Sequence, residues 1–167
     1  MPDVPLAYFL TFRCYGTWLP GDRRGFFTNG SQFGTPAREP SESLERAMRD
    51  RSNGPPLRLN AAQRACVETA IAETCSGIGW TLLAVNVRSN HVHVVVAGEG
   101  SPEKMLNSLK SWATRKLRGD GLVSRDDRPW SRHGSTVYLW TERDVEGAYN
   151  YVVYGQDKSE EAGQPAP

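Results

Sequence analysis

Two groups of side chains in this sequence could do chemistry. The first is His91-Val-His-Val-Val-Val96, which reads as a β-strand. Side chains alternate faces along a strand, so His91 and His93 point one way while Val92 and Val94 point the other. Two imidazoles on one pleat can share a divalent cation, and the valines can bury against helices. Neutral imidazole suits zinc, manganese or nickel; magnesium prefers oxygen and would need water, phosphate or other ligands beside the histidines. The chain holds 3 histidines in all, which gives the pairing of two of them weight. A bare H-x-H is still a weak motif, more often two half-exposed histidines with no ligand role. The second group is Tyr149, Tyr151 and Tyr154, within a segment from Glu142 to Tyr154 that has helical periodicity. There Val145, Ala148 and Val152 mark the inward face. Tyr149, at its edge, is expected in the core. Tyr151 lies on the opposite edge beside Ala148, where its hydroxyl could reach a neighbouring site, and Tyr154 points further outward. A phenol can attack phosphorus when a metal polarises the phosphate, and its stiff stem lets a packed helix aim it. Without the histidine pair, three packing tyrosines would be the simpler account.

The elements that would position these groups are legible along the chain. Leu6–Phe12 is an aromatic and apolar first strand,. A turn cluster follows, Gly16-Thr-Trp-Leu-Pro-Gly-Asp22. Residues 23–56 then form a Gly-, Pro-, Ser- and charge-rich irregular insertion, with a short helix expected around Leu44–Met48,. Asn60 and Gln63 make a capping box. Val67, Ile71 and Cys75 mark one face of the helix that follows, and Gly77 and Gly79 stop it. Trp80–Val87 and His91–Val96 are two strands hairpinned through Arg88-Ser-Asn90. Ser101-Pro102 opens a second long helix with Leu106, Leu109, Ala113 and Leu117 as its buried stripe. Residues 119–129 are a loop, and Ser135–Trp140 is a fourth strand. Thr141 with Asp144 caps a last helix running to about Tyr154, with Gly155 as its stop. The order β-α-β-β-α-β predicts an α+β, ferredoxin-like antiparallel sheet with an added C-terminal helix carrying the tyrosines. We read residues 1–156 as a single catalytic domain and 157–167 as a polar tail.

Composition narrows the class. With 167 residues, 38% hydrophobic and 23% charged, the chain fits one ordinary globular domain,. No stretch approaches the length of a membrane span, and no basic region precedes a long apolar run, so a cytoplasmic protein with no membrane contact is expected. Cys14, Cys66 and Cys75 form an odd set without C-x-x-C spacing; they read as small buried thiols in a reducing compartment. The net charge is only +1, so any nucleic-acid signal must be local,. The second long helix provides one, carrying Lys104, Lys110, Arg115, Lys116 and Arg118 against Glu103 alone. With Arg132 just before the last strand, these are the candidate DNA-binding residues. Trp112 or Trp130 could stack on an unpaired base. A solvated helix face with a core tryptophan is about as good an account.

Together, Asn90-His-Val-His-Val-Val-Val96, the first strand Tyr8-Phe-Leu-Thr-Phe12 and the closing Tyr151-Val-Val-Tyr-Gly-Gln156 resemble the HUH single-tyrosine transposases of the insertion-sequence-200-like group, and within it the REP-associated tyrosine transposases. The likeness covers most of the chain outside residues 23–56 and the tail. It implies an enzyme that acts on single-stranded or hairpin DNA with a divalent metal ion, Mg2+ or Mn2+. That ion would be held by His91, His93 and a polar residue of the tyrosine helix. Tyr151 would attack a phosphodiester to give a 5′-phosphotyrosine link, which a 3′-hydroxyl later reseals. One departure stands out: the family's third ligand often lies one helical turn after the tyrosine, and that position here is Gly155. Gln156 follows it and is the candidate ligand in its place, with Tyr154 as the alternative nucleophile. Relatives include homodimers that exchange the tyrosine and monomers that keep it, and the sequence leaves both open. Two other classes also stay open. One is a DNA- or RNA-binding ferredoxin-like module without cleavage, as in a domesticated transposase; the other is a phosphoesterase using the histidines to activate water.

Overall fold

A computed structural model describes residues 3–16 and 57–155. The expected insertion at 23–56 with its short helix, most of the turn cluster before it, Gln156 and the tail lie outside these residues. The elements run β1 (Ala7–Cys14), α1 (Ala61–Ile78), β2 (Thr81–Val87), β3 (His91–Ala97), α2 (Pro102–Gly119), β4 (Trp130–Leu139) and α3 (Glu142–Asn150), which continues as a π-helical turn (Tyr151–Gly155). The strands form one sheet in the order β2-β3-β1-β4, every neighbouring pair antiparallel. This is the expected ferredoxin-like α+β arrangement. No helix among the described residues is long and apolar enough to cross a membrane.

The sheet is covered on both sides, and by different helices. On one face Leu10, Phe12, Val92, Val94 and Val96 pack with Val67 and Ile71 of α1 and with Met105, Leu109 and Leu117 of α2. On the other, Phe9, Val95, Val137 and Leu139 pack with Ala148 of α3 and Val152 of the π turn. The inner strands β1 and β3 are therefore buried on both faces, which explains their nearly continuous apolar runs. The helix ends are built as their sequences suggest. Asn60 and Gln63 exchange both capping-box bonds, at 2.8 and 2.9 Å,. Gly79, at φ 94°, closes α1 in the left-handed region,.

Two boundaries differ from the sequence reading. Strand β4 begins at Trp130 rather than Ser135, so Arg132 lies within the strand and not before it. Pro129 and Gly134 break the apolar alternation and hide these residues from pattern reading. Gly134 is there for close packing: a Cβ on it would lie 2.6 Å from the Thr11 carbonyl oxygen and 2.8 Å from Leu106 Cδ2,. At the other end, Gly155 does not stop the last helix in a left-handed conformation; it completes the π turn.

Because the crowding at Gly134 involves backbone, Gly134→Ala should destabilise the fold by roughly 1–3 kcal/mol, the usual cost of overpacking. Urea denaturation measures this, and an unchanged midpoint would mean that β1 and β4 can separate freely.

Candidate active site

The histidines stand on the α3 face of the sheet because β3 turns Val92, Val94 and Val96 toward α1 and α2. Strand register then sets their neighbours. Asn86 of β2 pairs with His93, His93 with Thr11 of β1, and Thr11 with Ser135 of β4. A single row of polar side chains thus crosses the sheet. His91 and His93 are each 6% exposed, so they are buried rather than half exposed. Their ring centroids lie 4.7 Å apart.

Each ring is oriented by a side-chain oxygen. Asn90 Oδ1 accepts a hydrogen bond from His91 Nδ1 at 2.6 Å. His93 Nδ1 is 2.8 Å from Thr11 Oγ1. The Asn90 backbone is itself fixed to β1, since the Cys14 amide donates to its carbonyl at 2.9 Å. With Nδ1 engaged in both rings, coordination by either one falls to Nε2, the arrangement by which outer partners orient metal-binding histidines. Burial, then the neighbouring His91, Arg13 and Arg88, hold the His93 pKa well below its ordinary value. The ring is thereby kept neutral, the form that can donate a lone pair to a metal. The two imidazoles thus fit a divalent ion as two of its ligands. Among the described residues no group of three or more His, Cys, Asp or Glu side chains completes such a site.

Tyr151 is brought to this place by α3. Its ring centroid lies 5.6 Å from that of His93 and 5.9 Å from that of Phe9, edge-on to both. Phe9 in turn stacks on His93 at 5.2 Å. Tyr151 is 40% exposed, so the phenol touches the histidine and still meets solvent. Tyr154 is 67% exposed and stands outside this aromatic group. Tyr149, expected in the core, is 39% exposed; the inward side of α3 is filled by Val145 and Ala148. The π turn carrying Tyr151 is tied to the sheet where Asn86 Nδ2 donates to the Val152 carbonyl at 3.0 Å. Gly155 lies under the Tyr151 ring, and a Cβ there would be 3.2 Å from Tyr151 Cδ2.

The candidate DNA-binding residues lie on the opposite side of the sheet, with α2, and the structure sorts them. Arg115, Arg118 and Arg132 line a cleft of about 410 Å³ between α2 and β4, together with Lys110. Lys110 uses its amine locally, donating to the Ser131 and Arg132 carbonyls at 2.8 and 3.4 Å, and burial lowers its pKa. Lys116 turns toward α1, 3.8 Å from Glu73. Lys104 sits exposed in the first turn of α2. Trp130 is 8% exposed and packs edge-on against Phe12, whereas Trp112 is 49% exposed.

The family model for IS200-like transposases matches residues 58–142, about half of the chain. The chain belongs to this family. The matched span contains His91 and His93 and ends before Tyr151. Among solved structures, a REP-associated tyrosine transposase bound to a REP hairpin superposes with a TM-score of 0.54 at 12% identity, covering 95% of this chain and 72% of that one. A protein from Deinococcus radiodurans R1 gives a TM-score of 0.48 at 10% identity over 99% and 95% of the two chains. Among curated proteins there is no match.

In this transposase domain, the residues that sequence reading missed are Thr11, Asn86 and Asn90. Thr11 and Asn90 carried a faint signal: one is the lone aliphatic hydroxyl in an apolar strand, the other adjoins the first histidine. Asn86 carried none, because its role depends on the register of β2 and on a turn distant in sequence.

Two measurements follow. Unfolded His93 takes up a proton near pH 6.5, while the folded ring resists it until well below. The unfolded state therefore binds more protons in this range. The metal-free protein should be fully stable above that value and lose up to roughly 1.4 kcal/mol per pH unit as pH falls below it. His93→Gln should flatten this slope in urea titrations at successive pH values. Asn86→Leu removes the donor to the Val152 carbonyl, and leaving such a group unpaired costs about 1–3 kcal/mol locally. Amides of residues 150–155 should then exchange hydrogen faster while those of β1 and β3 do not; equal protection would separate Asn86 from the π turn.

Proposed function

We propose that this IS200-like transposase cuts and rejoins single-stranded or hairpin DNA through a covalent tyrosine intermediate, with Tyr151 as the nucleophile. One observation carries the reading: the Tyr151 ring lies against His93, one of the two buried imidazoles, within the same chain.

In the proposed reaction the Tyr151 oxygen forms a bond to a backbone phosphorus and the bond to the 3′ oxygen breaks. That oxygen leaves as a 3′-hydroxyl after taking up a proton, and the 5′ end stays linked as a phosphotyrosine. The reverse attack, by a 3′-hydroxyl on the phosphotyrosine, restores a continuous strand and frees the phenol. A divalent ion, Mg2+ or Mn2+, would polarise the phosphate oxygens and stabilise the charge that builds up at phosphorus. His91 and His93 would hold it through Nε2, their orientation fixed by Asn90 and Thr11. Gln156 is the proposed third ligand. Gln156 follows the π turn directly in sequence. The DNA partner is supported by family membership and by the REP hairpin held in the solved structure of similar fold.

Incubation with Mn2+ and hairpin oligonucleotides should yield a slow-migrating, protease-sensitive DNA band. The band should vanish with a chelator, with His91→Ala and with Tyr151→Phe, and persist with Tyr154→Phe. An adduct surviving in Tyr151→Phe would overturn the assignment of the nucleophile. Strand hydrolysis without any adduct would favour water activation by the histidines, and binding without cleavage would favour a non-catalytic module.

A further inference from the structure

We infer that the helical side of the sheet, facing away from the tyrosine centre, carries a separate subsite for an unpaired stretch of DNA. In it a phosphate backbone lies in the α2–β4 cleft and a base stacks on Trp112. The inference rests on the DNA-handling role proposed above but not on the tyrosine chemistry.

Helix periodicity builds the two halves of this surface. Ser111, Thr114, Arg115 and Arg118 follow the i, i+3, i+4, i+7 spacing that places them on one side of α2, facing the cleft,. Across the cleft, Arg128 reaches in from the loop before β4. Arg132 reaches the cleft from the irregular start of β4, where pairing with β1 shifts register between Trp130 and Gly134. No carboxylate is among the described residues lining the cleft. On a chain with a net charge of only +1, such a concentration of guanidinium groups is a local field suited to a phosphodiester,. Trp112 and Lys116 stand beside Arg115 on α2 and open onto a second groove, between α1 and α2, of about 580 Å³. Arg115 lines both spaces, and its guanidinium lies 4.8 Å from the centre of the Trp112 ring.

Trp112 is 49% exposed, and the Arg115 guanidinium lies against its ring. An open aromatic plane beside a row of guanidinium groups is the arrangement that binds single strands, where bases stack and phosphates pair with cations. A fully paired duplex hides its base faces and could use only the cationic half. The ligand class is therefore nucleic acid with at least one unstacked base, such as the strand flanking a hairpin.

The test uses the full chain in chelator-containing buffer, so that no cleavage interferes. Fluorescence anisotropy is read with a labelled oligothymidylate of about 15 nucleotides, long enough to span such a site, and with a blunt duplex of similar length. Trp112→Ala should weaken binding of the single strand by about tenfold, while Trp112→Phe retains most of it, as stacking predicts. Neither should change duplex binding. Arg128→Ala with Arg132→Ala should weaken both probes and reduce the salt dependence of single-strand binding by about 0.7 for each phosphate no longer neutralised. Wild-type affinity for the single strand in Trp112→Ala, or an equal loss on both probes, would overturn the stacking subsite. An unchanged salt slope in the arginine variant would overturn the backbone cleft. Either failure leaves the tyrosine adduct assay untouched, and a failed adduct assay leaves these affinities untouched.

Discussion

Strand β3 is packed on both sides, and the site depends on that constraint. Val92, Val94 and Val96 must meet α1 and α2 because these helices offer the larger apolar surface. The strand's two-residue repeat then leaves the histidines no choice of side. A slip of one residue would drive both imidazoles into the aliphatic core. Hydrophobic burial thus fixes the register, and the register delivers the polar groups. The same forces that stabilise the fold therefore also aim its chemistry, and no separate scaffold for the histidines is required.

Burial of the imidazoles has a chemical corollary. A pair of histidines in contact would repel each other if both were protonated, and a buried ring is costly to charge. The oxygens of Asn90 and Thr11 satisfy the rings without charging them. The result is a pair of buried imidazoles, the His93 ring held neutral, next to a half-exposed phenol, with Phe9 packed against His93 and Tyr151. Such a setting has the chemistry of a ligand set rather than of an acid–base pair.

Much of this was legible in the sequence, and the parts that were not share a physical cause. Local signals carried through: the capping boxes at Asn60 and Thr141, the histidine alternation, the helical stripe of α2 and the inward side of α3 all stand as their residues suggest. What escaped was set by contacts between distant segments. Trp130–Gly134 looks like loop, yet pairing with β1 makes it strand. Tyr149 looks like core, yet α3 meets the sheet through Val145 and Ala148 and leaves it exposed. The widened turn at Tyr151–Gly155 has no local signature, and Asn86 ties to it from across 66 positions of chain. Lys110 illustrates the same limit, since its charge was plain but its bonds to β4 carbonyls were not.

The π turn has a mechanical meaning. Of its five residues only Val152 is buried, and α-helical bonding has given way there to a looser repeat,. It is the least firmly anchored piece beside the site, whereas the imidazoles rest on the most deeply packed strand,. Permanence and compliance are thus divided between neighbouring elements. The last turn presents its aromatic tip from a looser repeat held to the sheet through Val152 and Asn86. The proposed breaking and mending of a DNA strand would call for one jaw that yields and one that does not.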